Sequence, residues 1–315
     1  MITARGLGKR FGDVQAVHDL SFDVRPGVVT GFLGPNGAGK STAMRLMLDL
    51  DRGAGETRFD GLRYRELVRP LRTVGAVLEA RSFHPTRRAR HHLRMLAAAS
   101  GVPAARVDEV IAMVGLESVA RGRPKGFSLG MSQRLWLAAA MLGDPDVLLL
   151  DEPANGLDPQ GIQWLRLFLS AFAEQGRTVL VSSHLLAEMS LIAQDLVVIG
   201  RGRLIAAGTV DEFVRRFTRR AALVRSPRAG ELAELLRSGG HAVEAEPDGA
   251  LLVPGVEPAV IGELAAERGF VLHELTTRSA SLEEAFLEAT GGATTYDARP
   301  AGPVGPVGPV RGAGA

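Results

Sequence analysis

The segment Gly34-Pro35-Asn36-Gly37-Ala38-Gly39-Lys40-Ser41-Thr42 constrains this chain more than any other stretch. It meets the phosphate-loop pattern GxxxxGK[ST] in full, with Gly34, Gly39, Lys40 and Ser41 at the required places. The apolar run Val28–Leu33 precedes it, and Leu46, Met47 and Leu50 follow on the apolar side of a helical stretch. That is the strand–loop–helix setting the pattern needs. Glycines let backbone N–H groups wrap an anion closely, and the helix starts with its positive end at the phosphates. Lys40 adds a point charge for the β- and γ-phosphates, and Ser41 offers a hydroxyl to Mg²⁺. The pattern and its flanks predict a nucleoside triphosphate site.

Composition narrows the rest. At 315 residues the chain has room for one large and one small domain. Hydrophobic content of 46% and charged content of 23% are those of a globular protein. Lys9, Lys40 and Lys125 are the only lysines and the formal charge is +2, so no basic excess points to nucleic acid, and none is expected as a partner. With no cysteine, disulfides and thiolate metal sites are excluded. The apolar stretch Leu135–Leu150 is broken by Asp144, Pro145 and Asp146, so it does not read as a membrane span. The first residues lack an apolar signal core. The expected location is therefore cytoplasmic, at a membrane only through another subunit.

Short β-like runs through Ile2, Val14–Val17 and Leu20–Val24 open the chain, and helical patterning dominates from about Arg90 to Leu142. Strand-like runs Val147–Leu150, Val179–Val181 and Leu196–Ile199 follow. Strands alternating with helices around a phosphate loop predict an α/β domain over residues 1–214, with a helical subdomain at about 80–143. Residues 215–290 read as a small α+β module in the order βαββαβ, a ferredoxin-like arrangement. Its final helix, Ser281–Thr290, carries a capping signature in Ser281 and Glu284. The tail 291–315 repeats Gly-Pro-Val and reads as disordered and partly extended.

A phosphate loop alone serves many reactions, so the later motifs decide. Val147–Leu150 is an apolar strand ending in Asp151 and Glu152. A strand buried on both faces places charges at its C-terminal end, where ligands bind in such sheets. There Asp151 suits Mg²⁺, and Glu152 suits the water that attacks the γ-phosphate; by itself the pair also reads as a solvated acidic turn. His184 stands at the end of the next strand-like run. His18, His84, His91, His92, His241 and His273 lie in no such motif.

Taken together, these motifs resemble those of ATP-binding-cassette (ABC) ATPases over about Ile2 to Val214, a P-loop NTPase fold. Phe127-Ser128-Leu129-Gly130-Met131-Ser132-Gln133-Arg134-Leu135 is similar to the family signature, departing from its commonest Leu-Ser-Gly-Gly-Gln form but retaining Ser128 and Gly130. Asn155-Gly156-Leu157-Asp158-Pro159 resembles the D-loop, and Ser182-Ser183-His184 the switch histidine. The resemblance implies ATP and Mg²⁺ as cofactors and a head-to-tail dimer with ATP sandwiched between copies. It makes Glu152, His184 and Lys40 catalytic, brings Ser128 and Gly130 of one copy to the nucleotide of the other, and counts Asp158 among the nucleotide-binding residues. One chain cannot cover both faces of its own nucleotide. Taken alone, Ser128 also reads as a helix N-cap. Phe11 occupies the place of the adenine-stacking aromatic, or else is a core residue of a hairpin. Glu79 stands where the Q-loop usually has glutamine, as a further oxygen for the metal.

The resemblance also implies a polytopic membrane permease as partner, docking near Arg81–Leu96. The run Arg87-Arg88-Ala89-Arg90 there serves equally as a solvated helix face. The similarity is strongest to ATP-binding subunits of bacterial multidrug and antibiotic exporters of the daunorubicin- and bacitracin-resistance kind. An exporter of lipid, polysaccharide or ions, and an ABC ATPase acting on nucleic acid or ribosomes, are the alternatives.

Overall fold

The computed structural model describes residues 1–78, 83–84, 86–218, 221–278 and 281–291. The chain begins with β1 (Ile2–Phe11), β2 (Val14–Val24), β3 (Val29–Leu33), α1 (Lys40–Met47), β4 (Ala54–Phe59), α2 (Pro70–Thr73) and β5 (Val74–Val77). Three helices follow: α3 (Ala89–Ala99), α4 (Ala105–Met113) and α5 (Leu129–Ala140). The chain then alternates through β6 (Val147–Leu150), α6 (Pro159–Glu174), β7 (Thr178–Ser183), α7 (Leu186–Ile192), β8 (Asp195–Gly200), β9 (Arg203–Thr209) and α8 (Val210–Phe217). The last part comprises β10 (Ala221–Arg225), α9 (Ala229–Ser238), β11 (Glu244–Ala245), β12 (Leu251–Pro254), α10 (Pro258–Glu267), β13 (Glu274–Arg278) and α11 (Leu282–Thr290).

The central sheet has the order β5-β6-β7-β3-β8-β9, parallel except for the final β8–β9 pair. Burial on both faces explains its unbroken apolar runs. In β6, Leu148 and Leu150 join the core shared with α3, α4 and α5, while Val147 and Leu149 join the core beneath β1, β2 and α1. The first of these cores makes the helical region part of the same body. The second lies under the antiparallel sheet β2-β1-β4. Arg25, just after β2, fixes that sheet to β8 through two hydrogen bonds to Asp195, at 2.8 and 2.7 Å.

Beyond α8, a separate antiparallel sheet runs β11-β12-β10-β13, with α9 and α10 contributing to its own apolar core around Val224, Leu236 and Ile261. The second strand of the expected βαββαβ order is reduced to the two residues of β11. The sequence reading groups Ser281–Thr290 with this module, and here the structure differs. Helix α11 leaves the module and buries Leu282, Ala285 and Phe286 in the large core, beside residues of α7 and α8. At about 1.5–3 kcal/mol per large apolar side chain, that burial outweighs anything an exposed last helix could gain. Ser281 caps α11, accepting from Glu284 N–H at 3.1 Å while Glu284 accepts from Ser281 N–H at 2.9 Å.

Inside the helical region Phe83 stacks on Trp136 of α5 at 4.1 Å, and His92 of α3 meets both rings edge-on. His92 is 9% exposed, and neither ring nitrogen has a hydrogen-bond partner. Burial first, then the charge of Arg87, holds its pKa below the ordinary value of 6.5. The native state therefore favours the neutral ring, and the unfolded chain takes the proton first as pH falls. Stability from this residue is complete above about pH 6.5 and declines below it, by at most about 1.4 kcal/mol per pH unit for one proton. Melting curves between pH 7.5 and 5.5 should fall less steeply in His92→Leu than in the parent. Parallel curves would remove His92 from the acid response.

Candidate functional site

Three adjacent parallel strands deliver the site. β7 lies between β6 and β3, with Leu33 beside Ser183 and Leu150 beside Val181. The loops leaving β3, β6 and β7 thus emerge together at the C-terminal edge, where open α/β sheets bind ligands. The loop after β3 ends at Gly39, the N-cap of α1, with φ of 101°. A Cβ at Gly39 would lie 2.4 Å from the Ala16 carbonyl oxygen, so both the left-handed backbone and the close approach require glycine. No side chain caps α1. Its first-turn N–H groups remain available to an anion, as the phosphate-loop reading requires.

Lys40, the first residue of α1, is only 7% exposed. Its Nζ donates to the Gly34 carbonyl at 2.7 Å and stands 3.6 Å from Glu152 Oε1. Glu152 also accepts from the His184 backbone N–H at 3.3 Å, and its Oε2 lies 2.7 Å from His184 Nδ1. Lys40, Glu152 and His184, far apart in sequence, form one connected group. Ser182 organises it from below. Fully buried at the end of β7, its Oγ donates to Asp151 Oδ1 at 2.5 Å and accepts from Glu152 N–H at 2.9 Å. That bond helps hold Glu152 at φ of 50°, a left-handed conformation that costs a non-glycine residue about 1–3 kcal/mol. Sequence reasoning quoted Ser182 but gave it no task. Its signal was a hydroxyl ending an otherwise apolar strand.

The remaining candidates divide. Ser41 is exposed and Thr42 half-buried in the first turn of α1, while Asn36 and Gly37 are exposed on the loop. Ser128 is the N-cap of α5, its Oγ accepting from Met131 N–H at 3.2 Å. Asp158 caps α6 in the same way, from Gly161 N–H at 2.7 Å. Neither makes a hydrogen bond to Lys40, Glu152 or His184; the signature end of α5 packs on the Gly156-Leu157 segment instead. Phe11 is 50% exposed at the β1–β2 hairpin, with Lys9 Nζ 4.8 Å from its ring centroid, so the core-residue alternative is overturned. Glu79 lies outside the described residues.

The donor set fits a nucleotide: uncapped helix N–H groups, a buried ammonium, and a carboxylate held beside it. No group of three metal-ligating side chains occurs among the described residues. Mg²⁺ suits such a place, because it keeps several waters and takes one or two protein oxygens plus phosphates. Ser41 and Asp151 are the candidates that the sequence reading names for that.

The comparisons with known proteins agree. A family described as ABC transporter matches residues 17–155, and a domain of unknown function (DUF8746) matches 220–283. The uncharacterized ABC transporter ATP-binding protein YhcH of Bacillus subtilis is 38% identical, covering 87% of this chain and 91% of its own. The bacitracin transport ATP-binding protein BcrA of Enterococcus faecalis is 33% identical, covering 93% and 97%. Among solved structures, an ATP-binding subunit of an ABC transporter superposes with a TM-score of 0.62 at 27% identity, over 69% of this chain and 93% of that one. A dimeric bacterial ABC transporter cassette gives 0.59 at 22%, over 66% and 98%, and speaks for the fold. No described helix is long and apolar enough to cross a membrane. This chain belongs to the ABC transporter family, as an ATP-binding, ATP-hydrolysing subunit with the cassette fold.

Proposed function

We propose that the chain drives export of an antibiotic or peptide, of the bacitracin or lantibiotic kind, through a separate polytopic permease, working as a dimer at the inner face of the membrane. The observation that carries the dimer is the division of the site. Lys40, Glu152 and His184 converge, whereas Ser128 and Gly130 stand apart on the exposed end of α5. A second copy is the simplest way to bring a signature segment to this phosphate loop. The cargo class rests on relatives named for bacitracin and lantibiotic transport, at 31–34% identity.

In this reading Lys40 exchanges its ion pair with Glu152 for phosphate oxygens, and so frees the carboxylate. Glu152 then takes the proton of the attacking water, and His184 holds Glu152 in place and contacts the γ-phosphate. Ser41 and Asp151 would hold Mg²⁺, which would supply charge neutralisation for phosphoryl transfer. Phe11 would stack on adenine, and Glu79 would give the metal a further oxygen. Residues 1–214 form the nucleotide-binding part, and residues 221–278 an accessory module strapped to it by α11.

Purification from detergent-solubilised membranes tests the assignment. The chain should co-purify with a polytopic membrane protein, and expression of the pair should raise bacitracin or lantibiotic tolerance. A soluble complex with nucleic acid, dissolved by rising salt, would reject the transport reading.

A further inference from the structure

The arginine run Arg87-Arg88-Ala89-Arg90 splits in the structure, and part of it meets an arginine from further along the chain. Arg88, Arg90, His91 and Arg94 line a cavity of about 270 Å³ together with Ala120 and Arg121 of the loop after α4. Arg87 is not part of this lining; its charge bears on His92 instead. Two backbone bonds build the cavity. Ala89 N–H donates to the Gly122 carbonyl at 3.0 Å, and Arg90 N–H to the Ala120 carbonyl at 2.9 Å. They pin the 120–122 loop to the first turn of α3, and so hold Arg121 beside the arginines of the helix. They also occupy those two N–H groups, which leaves the side chains as the donors.

The charges here are poorly matched within the chain. Arg90 is anchored by Asp108 of α4. Among the described residues, Arg88, Arg94 and Arg121 have no acidic partner. Helix α3 has no acidic residue in its first turn and no side-chain cap. Cations at that end oppose the helix dipole, whose positive pole favours anions. Arg90 and Arg94 stand four residues apart on one helical face, a like-charge pair that destabilises a helix. The formal charge of the whole chain is only +2, so this is a local concentration and not a general basicity. A bound anion offsets all three effects.

The donors select among anions. A carboxylate has one charge and two oxygens, too few for three unpaired guanidinium groups. A phosphate presents its oxygens tetrahedrally and takes bidentate hydrogen bonds from more than one arginine. Arg88, His91, Arg94 and Arg121 are exposed, so the group that carries the phosphate can stay outside. We propose that this cavity is a second phosphate site, separate from the phosphate loop, for a phosphate group that is free or on the headgroup of an anionic membrane lipid. Arg88, Arg94 and Arg121 bind its oxygens, His91 adds a donor, and Arg90 holds the wall through Asp108. The site does not depend on the export reading. On a lipid, it would hold α3 at the bilayer surface.

The test uses the full-length chain. Arg94→Gln/Arg121→Gln removes two unpaired cations and leaves the Asp108 anchor intact. Arg65→Gln/Arg203→Gln, at two exposed arginines outside the cluster, removes the same charge elsewhere. One arm sediments each protein with vesicles of phosphatidylglycerol and phosphatidylcholine in equal parts, against phosphatidylcholine alone. The other titrates inorganic pyrophosphate by calorimetry, where the phosphate loop takes one equivalent and the cluster a second. The parent should bind in at least one arm, to the anionic vesicles or as that second equivalent. The cluster variant should weaken this binding at least ~tenfold and the control pair by less than ~twofold, with ATP affinity and melting temperature unchanged in both. Vesicle binding alone identifies a lipid headgroup, and a second equivalent alone identifies a free phosphate. The proposal is overturned if the parent shows neither, or if the cluster variant and the control pair fall alike. Loss of permease co-purification in the cluster variant, with neither arm positive in the parent, gives the arginines to an acidic permease segment and rejects the phosphate site.

Discussion

Replacing Glu152 by Gln stops ATP turnover while ATP binding survives. Glutamine keeps the length of the side chain, and the backbone bond from position 152 to Ser182 Oγ does not depend on the carboxylate. What disappears is the base. A positioned general base contributes about 10²–10⁴-fold, so turnover should fall by at least ~100-fold. Affinity should hold or improve, because Lys40 loses the carboxylate 3.6 Å away that competes with phosphate for its charge. With the reaction blocked, ATP should hold two copies together, seen as a dimer peak in size-exclusion chromatography that needs ATP. Hydrolysis at the parental rate in Glu152→Gln would assign the base elsewhere.

Lys40→Ala has the opposite signature: binding itself is lost. The ammonium is the buried positive charge at the mouth of α1, and it satisfies the Gly34 carbonyl at 2.7 Å. Removing it leaves that carbonyl without its donor, a cost of about 1–3 kcal/mol, and leaves Glu152 without its counter-charge. Calorimetric titration should show ATP affinity weakened at least ~100-fold, equivalent to two factors of ten at about 1.4 kcal/mol each. The melting temperature should drop as well, since part of the loss belongs to the folded state before any ligand arrives. Retention of parental ATP affinity would show that the loop's N–H groups suffice and that Lys40 is dispensable for binding.

Legibility in the sequence followed the range of the interaction. The phosphate loop was legible because its chemistry is local, nine consecutive residues that must curl around an anion. The strand Val147–Leu150 was legible to the residue because burial on both faces leaves an unbroken apolar run. The cap at Ser128 was legible because a hydroxyl bonding three residues ahead is itself a local event. Helix α11 was recognised as a helix by its capping box but assigned to the wrong body. Periodicity shows that Leu282 and Phe286 need cover, not which core supplies it.

What the sequence determined by itself was the identity of each part: a phosphate loop, an acidic strand end, a histidine at another strand end, a capped signature helix. Each depends on neighbours a few residues away, so the order of residues is enough. What only the tertiary structure decided was their meeting. The order β6-β7-β3 sets Glu152 and His184 against Lys40 and places Ser182 beneath both carboxylates. Strand adjacency comes from packing two apolar faces across the whole sheet, and no local pattern encodes which strand becomes the neighbour of which.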